Sequence, residues 1–182
     1  MTYVDPSIPE QLSREAEELG WMTQFSSETL KASDWGQLKQ KLRQQREDNH
    51  FITVISTDHE LDRRASQDPR IDVLFPEEFD ETVAEQASEN SVAVGLNFSE
   101  VLGESRKARV ETISNWRDII EICERKETDY IITTGAENEY DLRPPEGMKA
   151  FINSVGGDGD KAVEKAHQIL EKNREKLKGD NA

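Results

Sequence analysis

At 182 residues the chain has the length of one ordinary domain and not of two. Hydrophobic residues supply 34% and charged residues another 34%, so a core must lie beneath a very polar surface, and no window approaches the ~20 apolar residues of a membrane span. Thirty-eight acids against 23 bases leave a formal charge of -15, which opposes bare polyanions and anionic lipid at low salt yet suits a protein solvated in concentrated salt, so acidity alone does not exclude RNA. The opening MTYVDPSIPEQLSREAEELG lacks a basic-then-apolar leader pattern, from which a cytoplasmic chain is expected.

In chain order, an apolar run at 2–5 comes first. Pro9 then marks a helix start, Leu12, Ala16 and Leu19 fall at i, i+4 and i+7 on one helical face, and Gly20 marks the stop. A second strand is predicted over 22–25 and a weaker one over 28–32. Trp35, Leu38 and Leu42 set out the next helix at i, i+3 and i+7. Strands follow over 51–56, 71–75 and 92–98. Ile113, Trp116, Ile119, Ile120 and Cys123 repeat the helical period over three turns, ahead of a strand over 130–134. Met148, Phe151, Ile152 and Val155 line a helix that the Gly156-Gly157 pair ends. A final helix over 161–178 carries Val163, Ala166, Ile169, Leu170 and Leu177, and the tail at 179–182 is expected to fray.

This βα alternation, with no internal repeat and no Pro/Ser-rich linker, predicts a single α/β domain over 1–178. Six or seven short parallel strands fit either a partial (β/α) barrel or an open doubly wound sheet, and both place function at the carboxyl ends of the strands. Those ends carry Asp5, Ser26, Asp58 with His59 and Glu60, Glu77 with Glu78, Asn97 with Ser99, and residues 134–137. A catalytic divalent ion needs about three fixed ligands. Consecutive residues such as Asp58, His59 and Glu60 seldom converge on one ion, and Asp58 reads instead as the N-cap of a helix bearing Arg63 and Arg64. His50 and His167 stand far from any second ligand in sequence, and the single cysteine, Cys123, lies on an apolar helical phase and reads as a packing thiol. The patterns H-x-H, H-E-x-x-H, G-x-S-x-G, G-x-x-x-x-G-K-[ST] and C-x-x-C are all missing, so no catalytic constellation is legible there. Arg106, Lys107, Arg109, Arg117 and Arg143 follow strand ends or open the next helix. A guanidinium fork suits phosphate, and salt bridging to the many carboxylates is the competing reading.

Five successive blocks, DHELDRRASQDPRIDVLFP, VAVGLNFSEVL, RKARVETISNWRDIIEICERK, DYIITTGAENEYDLRPPEGM and ILEKNRE, resemble in order the archaeal ribonuclease P protein component 3 family. The resemblance implies a partial or irregular TIM-like barrel related to the polymerase-and-histidinol-phosphatase (PHP) metal hydrolases, without their metal site. Where those hydrolases have H-x-H after the first strand, this chain has Val4-Asp5-Pro6-Ser7-Ile8. The resemblance also implies a protein subunit of the ribonucleoprotein that removes 5′ leaders from precursor tRNA, the catalyst being the RNA with its Mg2+ ions. On that reading the protein binds no cofactor and braces the RNase P RNA. It meets precursor tRNA only indirectly, and it works beside a small ferredoxin-like RNase P subunit and other RNase P proteins, with no membrane involved.

Matched by block are Arg63, Arg64, Asp68 and Arg70; Asn97; Arg106, Arg109, Ser114, Asn115, Trp116 and Arg117; and Gly135, Asp141, Leu142 and Arg143. Trp116 and Leu142 are expected to pack, and Asp68 with Arg70 to bracket a turn around Pro69. The candidates for RNA or partner contact are Arg63, Arg64, Arg106, Lys107, Arg109, Asn115, Arg117 and Arg143. Three departures stand out: the stretch Phe75-Pro76-Glu77-Glu78-Phe79-Asp80 is short and acidic where the family has a basic loop, Pro145-Glu146 replaces Pro-Arg, and 22–32 leaves hardly any room for a helix between the second and third strands. Two other readings stay open: a metal-dependent phosphoesterase using Asp5, Asp58, His59 and Asn97, and a scaffold that binds only its protein partner.

Overall fold

The computed structural model describes residues 2–32, 34–102 and 105–179, with side chains through residue 177. In chain order the elements are β1 (Tyr3–Val4), α1 (Ser13–Glu18), β2 (Trp21–Met22), β3 (Ser27–Lys31), α2 (Trp35–Gln45), β4 (Phe51–Ile55), α3 (His59–Ala65), β5 (Val73–Phe75), α4 (Glu81–Asn90), β6 (Ala93–Asn97), α5 (Ser99–Leu102), α6 (Arg106–Lys126), β7 (Tyr130–Thr133), α7 (Pro145–Val155) and α8 (Gly159–Gly179). Side-chain oxygens start most of the outer helices by satisfying free N–H groups. Asp34, Asp58, Asp80 and Ser105 accept from the backbone N–H groups of Gln37, Leu61, Val83 and Ala108, and Pro145 fills the first position of α7. Asp58 is therefore a cap, as its spacing predicts. Gly156, at φ 102°, ends α7 in the left-handed conformation that favours glycine.

The strands are all parallel. β1 pairs with β2, and β3 to β7 form a five-stranded sheet in sequential order, with Ser27 opposite Phe51, Thr53 opposite Val73, Val73 opposite Ala93 and Val94 opposite Tyr130. Among the described residues no ladder joins the two sheets, so this is a partial barrel. Strand alternation separates inside from outside. Val4, Phe51, Val73, Ala93 and Ile131 face inward onto Ala166, Ile169 and Leu170 of α8. Ile52, Val54 and Leu74 face outward beneath α2, α3 and α4, and Val94, Leu96, Tyr130 and Ile132 face outward beneath α6 and α7. The last helix is thus a plug, filling the amino end of the barrel.

A buried carboxylate holds each end. At the amino end Asp72 accepts from Ile52 N–H (2.7 Å), Arg46 Nη1 (2.5 Å) and Asn173 Nδ2 (2.8 Å), tying α2, β4 and α8 together. At the carboxyl end Asp5, 1% exposed, accepts at Oδ1 from Ser7 N–H (2.9 Å) and Ser7 Oγ (2.7 Å), and at Oδ2 from Thr134 N–H and Thr134 Oγ1 (both 2.7 Å). Burial pushes the Asp5 carboxyl above its usual range, while the bonds from Thr134 and Ser7 pull the other way. Ser7 Oγ also accepts from Gly135 N–H at 3.0 Å. Side-chain bonds therefore close the junction between β1 and β7.

The expected strand at 22–25 sits at Trp21–Met22 instead. Trp21 is 2% exposed and its Nε1 donates to the Arg143 carbonyl at 2.7 Å, while a tight turn from Phe25 N–H to the Thr23 carbonyl ends the strand. The weaker strand at 28–32 is a full strand, β3, because Leu30 buries under α2 and every residue of it pairs with β4. Leu19, expected on a buried face, is 37% exposed because α1 stops at Glu18. The fraying expected at 179–182 lies, past Gly179, outside the described residues. Among the described residues no helix is long and apolar enough to cross a membrane.

Asp5→Asn places an NH2 group against a pair of donors. It should destabilise the fold by about 2–4 kcal/mol, whereas Thr134→Val, which loses one hydroxyl, should cost about 1 kcal/mol. Denaturant titration of the two variants against the parent checks both.

Candidate nucleic-acid interface

α6 buries Trp116, Ile120 and Cys123 and turns its other side to solvent. Arg106, Val110 and Arg117, at i, i+4 and i+11, form one exposed stripe, with Val110 60% exposed. Arg109 and Lys107, also exposed, extend the positive charge around the first turns, where Lys107 lies 3.7 Å from Glu111. Among the described residues neither Arg106 nor Arg117 has an ion-pair partner. Farther along the helix Arg125 and Lys126 are committed to Glu81 and Glu85 of α4. Among the described residues the basic charge of α6 without an ion pair is therefore that of Arg106 and Arg117, between the start of the helix and its middle.

The remaining candidates are dispersed. Asn115 is exposed on another side of α6 from the Arg106–Arg117 stripe. Arg63 is exposed on α3, and Arg64 bonds Glu60 one turn earlier at 2.7 Å. α4 packs between α3 and α6, so the two arginine groups do not form one patch. Arg143 donates through Nη1 to the carbonyls of Tyr140 and Leu142, both at 2.7 Å, and so pins its own loop. Trp116 and Leu142 are buried packing residues, as expected. Asp68 and Arg70 do bracket the turn at Pro69: Arg70 Nε and Nη2 grip Asp68 at 2.8 and 2.5 Å. Burial would raise the Asp68 carboxyl, but the bonds and charge of Arg70 outweigh it and hold the group below its usual range.

The phosphoesterase set does not assemble. Asp5, Asp58 and Asn97 line three separate clefts. Asp5 is committed to Ser7 and Thr134, Asp58 caps α3, and His59 lies 3.3 Å from Asp80. Among the described residues no group of three or more His, Cys, Asp or Glu side chains is placed to hold a metal. Burial pushes the Cys123 thiol up to about 12, so it stays protonated. The acidic loop after Phe75 is built around Asp62, 0% exposed, which accepts from the N–H groups of Glu77 (3.2 Å) and Glu78 (3.0 Å).

Sequence reasoning missed the polar network at the mouth. Asn97 Oδ1 accepts from Ser99 N–H and Oγ, repeating the Asp5–Ser7 turn, and Gly135, at φ 58°, leaves no room for a Cβ beside Asn97. The available signal was the pair of D/N-x-S tripeptides, each at the carboxyl end of a strand.

A family model described as RNase P subunit p30 matches residues 2–178. The chain is 26% identical over 138 residues to ribonuclease P protein component 3 of Methanocaldococcus jannaschii, covering 72% of this chain and 60% of that protein. It is 28% identical over 142 residues to the protein of the same name in Haloarcula marismortui, covering 74% and 60%. The chain therefore spans about 60% of the length of these curated relatives. A chain in a cryo-EM structure of archaeal ribonuclease P with mature tRNA shares the fold, with a TM-score of 0.77 at 24% identity over 95% of this chain and 80% of that one.

Two outcomes are expected. Arg106→Ala and Arg117→Ala should leave stability within about 0.5 kcal/mol of the parent, whereas Arg143→Ala should lose about 1 kcal/mol with its two carbonyl bonds, by thermal melting. Arg70→Met should cost about 1 kcal/mol at neutral pH. The folded Asp68 value lies below the ~3.9 of a free aspartate, so this stabilisation is complete above that pH and vanishes as pH falls through the depressed value, and the melting curves of variant and parent should converge there.

Proposed function

The chain belongs to the RNase P subunit p30 family, and from that premise we propose that it serves as a protein subunit of ribonuclease P, bracing the catalytic RNA for removal of 5′ leaders from precursor tRNA. The observation that carries this reading is the family match along residues 2–178, nearly the whole chain. The names of its relatives, and the solved archaeal particle that contains a chain of this fold, support it.

The reaction chemistry belongs to the RNA and its Mg2+ ions, and this chain contributes binding and positioning. Arg106, Arg109 and Arg117, with Lys107, meet RNA phosphates from the amino half of α6. Arg63 and Arg64 on α3, Asn115 and the loop of Arg143 serve RNA or protein partners. A net charge of -15 makes solitary binding to a polyanion weak, so a small ferredoxin-like partner subunit supplies part of the affinity. Precursor tRNA is met indirectly, and the setting is the cytoplasm.

The experiment is co-purification of the tagged full chain, with sequencing of bound RNA. A structured RNA of RNase P type together with a small protein partner is expected; the partner without RNA would establish a protein-only scaffold instead. Counterion release gives a salt slope of about -0.9 per neutralised phosphate. Reconstituted with that partner, the complex should hold RNA above ~1 M monovalent salt with a shallow slope of few phosphate contacts. A steep slope with tight binding by the lone subunit would overturn the reading.

A further inference from the structure

The carboxyl mouth of the barrel holds a cavity of about 380 Å³, which the arginine face leaves unused. That volume lies within the range of roughly 300–1,000 Å³ that takes a small organic ligand, and it occupies the end of a (β/α) barrel where ligands bind.

Its walls differ in chemistry from bottom to top. Phe75 and Ile55 form an apolar floor. Gly95 on the neighbouring strand has no side chain, and the Phe75 ring takes up the space its Cβ would need, so an aromatic ring lies flat on β6 inside the barrel. Above the floor, one inward position nearer the mouth, stand Thr133 and Asn97. Thr133 is 1% exposed and its Oγ1 has no hydrogen-bond partner. A buried hydroxyl in that condition is costly, so it marks a place where a ligand's hydrogen bond would be favourable. Asn97, only partly buried, offers a second polar group. Ser99 N–H is obliged to donate, which fixes Asn97 Oδ1 toward it and leaves the Nδ2 donors without a partner among the described residues. At the rim, Lys31 of β3 lies on one side and Glu137, past β7, on the other.

We propose that this mouth binds one nucleotide. The base enters over the Phe75 ring, its polar edge meets Thr133 Oγ1 and Asn97 Nδ2, the sugar hydroxyls face the Glu137 side, and the phosphate faces Lys31. An aromatic floor beneath a few convergent hydrogen-bonding groups is how proteins hold an unstacked base. The nucleotide is either free or an unpaired residue of an RNA strand, and only the second case rests on the ribonuclease P reading.

The test titrates the full chain with the four ribonucleoside 5′-monophosphates and follows the backbone amide resonances of Gly95, Asn97, Thr133 and Gly135. At least one monophosphate should bind in the micromolar-to-millimolar range and shift these four signals together. Thr133→Val should weaken it roughly tenfold, the loss of one hydrogen bond, while leaving the melting temperature unchanged or higher, because Oγ1 has nothing to lose in the free protein. Lys31→Met should weaken the monophosphate but not the matching nucleoside. In the assembled particle, chemical probing of unpaired nucleotides identifies the source. One nucleotide protected by the parent and exposed with Thr133→Val marks an RNA strand, and monophosphate binding with unchanged RNA reactivity marks a free nucleotide. Absence of both, or a clear fall in melting temperature for Thr133→Val, overturns the proposal. Because monophosphate binding needs no RNA, its outcome is separate from whether the chain co-purifies with RNase P RNA.

Discussion

Asp5 gives both of its oxygens to the junction between the first and last strands, accepting two hydrogen bonds from Ser7 and two from Thr134. A parallel pair would ordinarily be joined there by a ladder of backbone bonds, which β1, at two residues, is too short to extend. One carboxylate can stand in for a ladder because it offers about four lone-pair sites, here each matched to a donor. The rest of the mouth depends on it. Ser7, held by Asp5, receives the N–H of Gly135, and the left-handed turn at Gly135 seats that residue against Asn97. Remove the carboxylate, and the turn after β7 loses the anchor that brings these groups together.

The same device recurs in a chain rich in acid. Asp72 gathers α2, β4 and α8 at the amino end, and Asp62 holds the N–H groups of the loop after β5. A buried charge is tolerated only where it is hydrogen-bonded, and these three meet that condition with backbone and side-chain donors together. The two ends then differ in character. The amino end is filled by Ala166, Ile169 and Leu170 of the last helix, so it is closed by apolar packing. The carboxyl end is polar and open.

That separation leaves the two ends with different chemistry. Acids outnumber bases 38 to 23, and among the described residues Arg106 and Arg117 of α6 have no carboxylate partner, unlike Arg64, Arg125 and Lys126. The acidic loop after Phe75 is held at its backbone by Asp62, which accepts from the N–H groups of Glu77 and Glu78. A chain spanning about 60% of its curated relatives keeps the sheet, the plug and the mouth within that shorter length.

Local chemistry was legible without coordinates. Periodicity placed the helical faces of α2, α6, α7 and α8, spacing gave the cap at Asp58, and the ordered blocks gave the family, because each signal depends on neighbours within a turn or two or on a contiguous string. The misplacement of the second strand and the exposure of Leu19 arose where a short element is decided by distant partners, in this case the Trp21 bond to the Arg143 carbonyl. Nor could spacing show that Arg143 serves its own loop while Arg106 and Arg117 stay free, since both kinds of arginine follow strand ends. Asp5 looked like a candidate metal ligand in sequence, and its partner Thr134 lies 129 residues away. The sequence by itself determined the βα alternation, the faces of the longer helices and which family the chain resembles. Tertiary structure alone decided which carboxylates are spent on backbone donors and which polar groups at the mouth are left unmet, because burial and hydrogen-bond satisfaction are set by residues that only folding brings together.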